Sequence, residues 1–133
     1  MVTEAFVRAE FAPWESENPI PFFEKLPDNI SWTVSGSINP LRGHYTSKAE
    51  VLAVFGKLIS KFATPTTFKV TNVLPSGDYA VVEMTSHGVS NGGVVYDLDL
   101  CWVCQYENGV CVAVKVYPDT AAEKQIFEET QSI

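Results

Sequence analysis

Asp97 and Asp99 stand two apart in a segment that alternates like a strand, so both carboxylates share one face, where like charges can raise one pKa into a useful acid range. The same alternation sets them, with Glu83 and His87, opposite the apolar positions, as a solvent-facing or dimer-facing row. Asp119, followed by Thr120, comes just after the last strand-like segment. It could act as a general base if partly desolvated, or as the N-cap of a short helix suggested by Ala121, Ala122, Glu123 and Lys124. His44 and Tyr45 follow Gly43 in a loop and pair an imidazole with a phenol, a base and a proton donor near neutral pH. Asp119, His44 and Tyr45 are therefore the candidate catalytic residues.

Other chemistries lack their patterns. Cys101-Trp102-Val103-Cys104 has redox-motif spacing, but in a strand a separation of three sends the sulfurs to opposite faces, and no helix follows to stabilise a thiolate. His44, His87 and Cys111 have no zinc-site spacing, and there is no glycine-rich phosphate loop or nucleophile elbow. The expectation is a protein with no metal and no cofactor. Nine Lys plus Arg against sixteen Asp plus Glu give a net charge of −7, which argues against a nucleic-acid surface. No apolar run approaches the roughly 20 residues of a membrane span. With an odd three cysteines and no basic leader in Met1-Val2-Thr3-Glu4, the expected compartment is the cytoplasm.

The elements that must position these groups are readable from periodicity. Thr3 to Phe11 has apolar residues at helical spacing, with Pro13 expected to stop it, and Pro21 to Leu26 reads as a second helix. Ile30 to Ser35 alternates as a strand. From Ser47 to Phe62, Val51, Val54, Phe55, Leu58, Ile59 and Phe62 form a helical stripe, opened by a Ser47/Glu50 capping box and ended by Pro65. Phe68 to Leu74, Tyr79 to Gly88, Val94 to Tyr106 and Val110 to Tyr117 read as strands divided by Ser76-Gly77-Asp78, Asn91-Gly92-Gly93 and Asn108-Gly109. Helices first and a strand meander after them give an α+β class, read as one domain over residues 1–133.

From about Phe11 to Phe127 the chain resembles the SnoaL-like, ketosteroid-isomerase-like and nuclear-transport-factor-2-like superfamily. The resemblance rests on Trp32 to Gly36, Pro40 to Tyr45, Tyr96 to Tyr106 with Asn108-Gly109, and Val114 to Ala121. It implies a cone: a curved antiparallel sheet with three main N-terminal helices enclosing a cavity, and a homodimer formed through the outer sheet face, where Val81, Cys101 and Val103 are apolar. Relatives carry an acid at the place of Val116, in a pattern of which only Asp119 is kept. The places of the isomerase base and oxyanion-binding acid fall near Thr33 or Val34 and at Trp102. The shape of the family is therefore expected without its catalytic set.

If Trp32 and Val34 face the cavity, alternation adds Val82, Met84 and Ser86 from one strand, and Tyr96, Leu98, Leu100, Trp102 and Cys104 from the next. The last strand adds Val114, Val116 and Pro118. With Trp14, the expected ligand-binding set is Trp14, Trp32, Val34, Met84, Tyr96, Leu98, Leu100, Trp102 and Val116, suited to a flat apolar or aromatic molecule. The expected function is a cofactor-independent cyclase, isomerase or dehydratase of secondary metabolism, acting on a polyketide-like or terpenoid intermediate. The competing expectation is a non-catalytic small-molecule binding or dimerisation module.

Overall fold

The computed structural model describes residues 1–129. Helices α1 (Glu4–Glu15) and α2 (Ile20–Glu24) lead into the short strands β1 (Ser31–Val34) and β2 (Gly43–Tyr45). Helix α3 (Lys48–Ile59), the long strands β3 (Thr67–Ser76), β4 (Tyr79–Val89), β5 (Val95–Glu107) and β6 (Val110–Tyr117), and helix α4 (Thr120–Glu128) complete the chain. The strands form one six-stranded sheet in the order β2-β1-β6-β5-β4-β3. The fold is thus α+β, as the order of the elements in sequence implies.

Local chemistry explains most boundaries. Thr3 Oγ1 accepts from Phe6 N at 3.1 Å to cap α1. Ser47 Oγ accepts from Glu50 N at 3.1 Å, and Glu50 returns an oxygen to Thr46 N at 3.0 Å, so the expected cap on α3 forms. At Asn108-Gly109 both φ angles are positive, 51° and 78°, the backbone a two-residue hairpin requires. Alternation along β4 and β5 turns Val82, Met84, Leu98 and Trp102 inward and leaves Glu83, His87, Asp97 and Asp99 exposed.

Four expectations need correction. Pro13 lies inside α1 instead of ending it. The missing N–H falls in the last turn, and the two residues after Pro13 are held by tertiary contacts: Trp14 is buried in the core and Glu15 Oε2 accepts from Val70 N at 3.0 Å. His44 and Tyr45 are in a strand, not a loop, with Thr33 opposite His44 and Trp32 opposite Tyr45. Strand β1 pairs with β6 in parallel, because its partner arrives from the far end of the chain after the meander, so the sheet is not purely antiparallel. Finally, α3 ends at Ile59, well before Pro65. Phe62 is drawn into a bridge with Ser90, which removes its backbone from the helix.

The core is aromatic. Trp14 sits edge-on against Phe68, Phe55, Trp102, Phe23 and Phe22 at ring separations of 4.9, 5.3, 5.3, 5.4 and 5.6 Å. Such pairs add about 0.5–1.5 kcal/mol each beyond area burial. Register shifts at Val70/Asn72 and Gln105/Tyr106 interrupt the ladders on either side of β4 and β5, places where a sheet bends.

Candidate functional site

The sequence puts an apolar stripe on α3, but the sheet does not close over it. Val51 is buried, whereas Val54, Phe55, Leu58 and Ile59 remain half-buried. Between this stripe and the concave sheet face lies a cavity with about 90 Å³ of free interior. Of the residues expected to line it, Trp14, Trp32, Val34, Leu98, Leu100, Trp102 and Val116 do so. All three tryptophans of the chain are among them.

Met84 and Tyr96 are not on the cavity wall. Met84 points inward as alternation requires, but it is fully buried in the main core. Tyr96 belongs to a smaller cluster with Leu98 and Ile126. Its hydroxyl donates to Glu129 Oε2 and accepts from Gln125 Nε2 at 3.2 Å, and burial together with the Glu129 carboxylate pushes its pKa up to about 12. The ring thus ties α4 to the sheet.

The candidate catalytic residues are not brought together, and none lines the cavity. Asp119 Oδ1 accepts from Ala122 N at 2.9 Å, so the carboxylate caps α4, the structural alternative the sequence offered. His44 is exposed, its Nδ1 2.9 Å from Thr33 Oγ1 on the neighbouring strand. Tyr45 donates to the Leu41 carbonyl at 2.8 Å and so fastens the turn that precedes it. Desolvation and the Glu50 carboxylate raise its pKa, which makes it a poorer acid. Asp97 and His87 pair on the outer face at 2.6 Å, both exposed.

A different acid reaches the cavity. Glu123, one turn into α4, lines it and is only 5% exposed. Its Oε1 has no hydrogen-bond partner among the described residues. Burial drives its pKa from 4.5 to about 7; the Asn39 amide beside it pulls the value down and the Asp119 charge pushes it up. Sequence reasoning missed it, although a signal existed: Ala122, Glu123, Ile126 and Phe127 share one face at helical spacing, and the acid is the odd member of an apolar stripe.

Three further contacts hold α4 in place. Ser90 Oγ donates to Glu129 Oε1 at 2.6 Å, Lys61 Nζ lies 5.0 Å above the Phe127 ring, and Ile126 is buried. Its first turn packs against Gly36, where φ is +119° and a Cβ would come 2.5 Å from Thr120 Cγ2. Only glycine suits both conditions. A second buried acid, Glu10 of α1, is also raised by desolvation, but it lies beside Tyr106 and away from the cavity. Among the described residues, no cluster of three or more His, Cys, Asp or Glu side chains is placed to hold a metal ion.

No family model and no curated protein matches the sequence. Solved structures do match in shape. An NTF2-like protein from Burkholderia thailandensis superposes with a TM-score of 0.78 at 19% identity, covering 93% of this chain and 95% of that one. The fold is NTF2-like. TerC, co-crystallised with polyporic acid, is similar to this chain in shape with a TM-score of 0.77 at 16% identity, over 94% and 97% of the two chains. A Catenulispora acidiphila protein with a ketosteroid isomerase-like fold, in complex with trimethylamine, gives 0.71 at 12% identity, over 93% and 95%. At these identities the likeness carries the architecture alone. No described helix is long and apolar enough to cross a membrane.

Proposed function

We propose that this NTF2-like chain is a cofactor-independent enzyme that isomerises, cyclises or dehydrates a small apolar intermediate of polyketide or terpenoid type. The observation that carries this reading is the open apolar cavity with one ionisable side chain, Glu123, on its wall. An apolar enclosure fixes a reactive molecule in one geometry, and a carboxyl whose pKa is about 7 can both give and take a proton near neutral pH. Glu123 thus takes the proton-transfer role that the sequence suggested for Asp119, His44 and Tyr45. Similar structures that hold polyporic acid or trimethylamine support a small-molecule role.

The cavity size sharpens the substrate. About 90 Å³ is less than the roughly 150 Å³ of an engineered apolar cavity that accepts benzene, so even a single-ring ligand requires the half-buried α3 rim to move. Val116, apolar where relatives place an acid, favours a second reading, a carrier without turnover. In either case we expect a homodimer through the outer sheet face around Val81, Cys101 and Val103, which are half-buried in the single chain.

The test begins with binding. Titration with ethylbenzene should change the emission of the three cavity tryptophans, and filling the cavity by Leu100→Trp should abolish saturable binding. Absence of any saturable change in the parent protein would refute the cavity reading. Turnover of unsaturated cyclic ketones, lost in Glu123→Gln, separates the enzyme from the carrier.

A further inference from the structure

We propose that Glu123 selects the ligand: the cavity takes an otherwise apolar molecule that carries one hydrogen-bond-accepting oxygen, a ketone, and receives that oxygen from the protonated carboxyl. The inference rests on the small-molecule reading above and narrows it. Every other side chain on the cavity wall is apolar or uncharged. Thr66 and Ser86 contribute hydroxyls, and the rest of the wall is aliphatic or aromatic apart from the indole N–H groups. A hydrocarbon would leave Glu123 Oε1 as it is now, buried and unpartnered. A polar atom on the ligand removes that penalty, and sites with buried unpaired groups discriminate by this means.

The choice of a ketone over an amine comes from the surroundings of the carboxyl. An amine would require the ionised form, which the site disfavours in two ways: Glu123 is 95% removed from solvent, and the charge of Asp119 at the start of the same helix repels a carboxylate. Across the cavity, α3 contributes Val51, Val54, Phe55, Leu58 and Ile59, none of them charged, and β1 and β6 contribute Trp32, Val34 and Val116. From the loop after β1, Leu41 lines the cavity and the neutral Asn39 amide lies beside the carboxyl. No cation compensates the carboxylate from any of these elements. The neutral acid, with one O–H to donate, is the form the enclosure favours, and a carbonyl oxygen is its complement.

Ethylbenzene, acetophenone and 1-phenylethylamine have nearly the same shape and differ in the polar atom. Their affinities for the full chain, read by tryptophan emission between about pH 5.5 and pH 8.5, test the assignment. The ratio of acetophenone to ethylbenzene affinity cancels the shared apolar part, and it should fall about tenfold or more across that range as the carboxyl loses its proton. Glu123→Gln, which keeps a donor at every pH, should preserve the preference for acetophenone and flatten its pH dependence; Glu123→Leu should erase the preference while ethylbenzene still binds.

A ratio that does not move with pH in the parent protein, or moves equally in Glu123→Gln, overturns the proposal. So does tighter binding of the amine than of acetophenone at about pH 6. Binding of ethylbenzene with no preference for acetophenone sinks this inference and leaves the cavity reading standing. Failure of all three probes sinks both.

Discussion

Replacing Glu123 by Gln should stabilise the protein at neutral and alkaline pH and leave it nearly unchanged in acid. The carboxyl is raised from 4.5 to about 7 in the folded state, chiefly by burial. A raised acid means that the folded state binds more protons than the unfolded chain between those two values. Its contribution is therefore fully present below about pH 4.5, declines as pH rises, and is gone above about pH 7. At about 1.4 kcal/mol per pH unit, the full loss is on the order of 3 kcal/mol. Urea unfolding of parent and variant at matched pH values would measure it, because subtracting the two curves removes the other titrating groups, Glu10 included. The difference should be small near pH 4.5, grow through pH 6 and level off above pH 7, with the variant the more stable. A difference that is constant with pH would mean that Glu123 is hydrated or hydrogen-bonded in the folded state. That result would refute the picture of a desolvated acid on the cavity wall.

Trp102→Ala should cost about 3–5 kcal/mol in urea unfolding, since the ring is buried against Trp14 and Trp32 at 5.3 and 5.1 Å, and should also weaken apolar ligands. Asp119→Asn keeps a competent cap and removes a charge, so stability should hold while the Glu123 titration, followed by NMR, moves toward acid; Asp119→Ala should instead lose about 1 kcal/mol. Gly36→Ala, strained by a positive φ and by Thr120, should cost about 1–3 kcal/mol and speed amide exchange in the first turn of α4. Light scattering at micromolar concentration should give the mass of a dimer, and a monomer mass would remove the outer sheet face as an interface.

Wherever a local rule acted alone, the sequence was a good guide. Strand-period alternation sorted both faces of β4 and β5, and the four long strands were found because branched and aromatic residues coincide with clear turn signals. What failed depended on distant partners. Nothing near His44 and Tyr45 announces a strand; the pairing with Thr33 and Trp32 creates it. Pro13 looked like a stop because the anchoring of Trp14 and Glu15 is tertiary. The site was half legible for the same reason. Alternation reaches the sheet wall, Trp32, Val34, Leu98, Leu100, Trp102 and Val116, but it says nothing of which helix closes the opening. Tyr96 left the wall through hydrogen bonds to residues some thirty positions later in the chain, which periodicity cannot foresee.

Val116 and Glu123 are linked by the geometry of the cavity. Val116 on β6 and Glu123 on α4 line the same cavity, although they belong to different elements and are separated by the Asp119 cap. A sheet position fixes a side chain through its paired strands, whereas α4 is held by Gly36 and the Asp119 cap at its start, by the buried Ile126 along its length and by Ser90, Tyr96 and Lys61 near its end. A cavity of about 90 Å³ is small even for one ring, so its wall must give way for a ligand to enter. If α4 is the part that gives way, loosening its first turn through Gly36→Ala should accelerate ligand association even as it lowers stability, whereas an unchanged association rate would put the opening at the α3 rim.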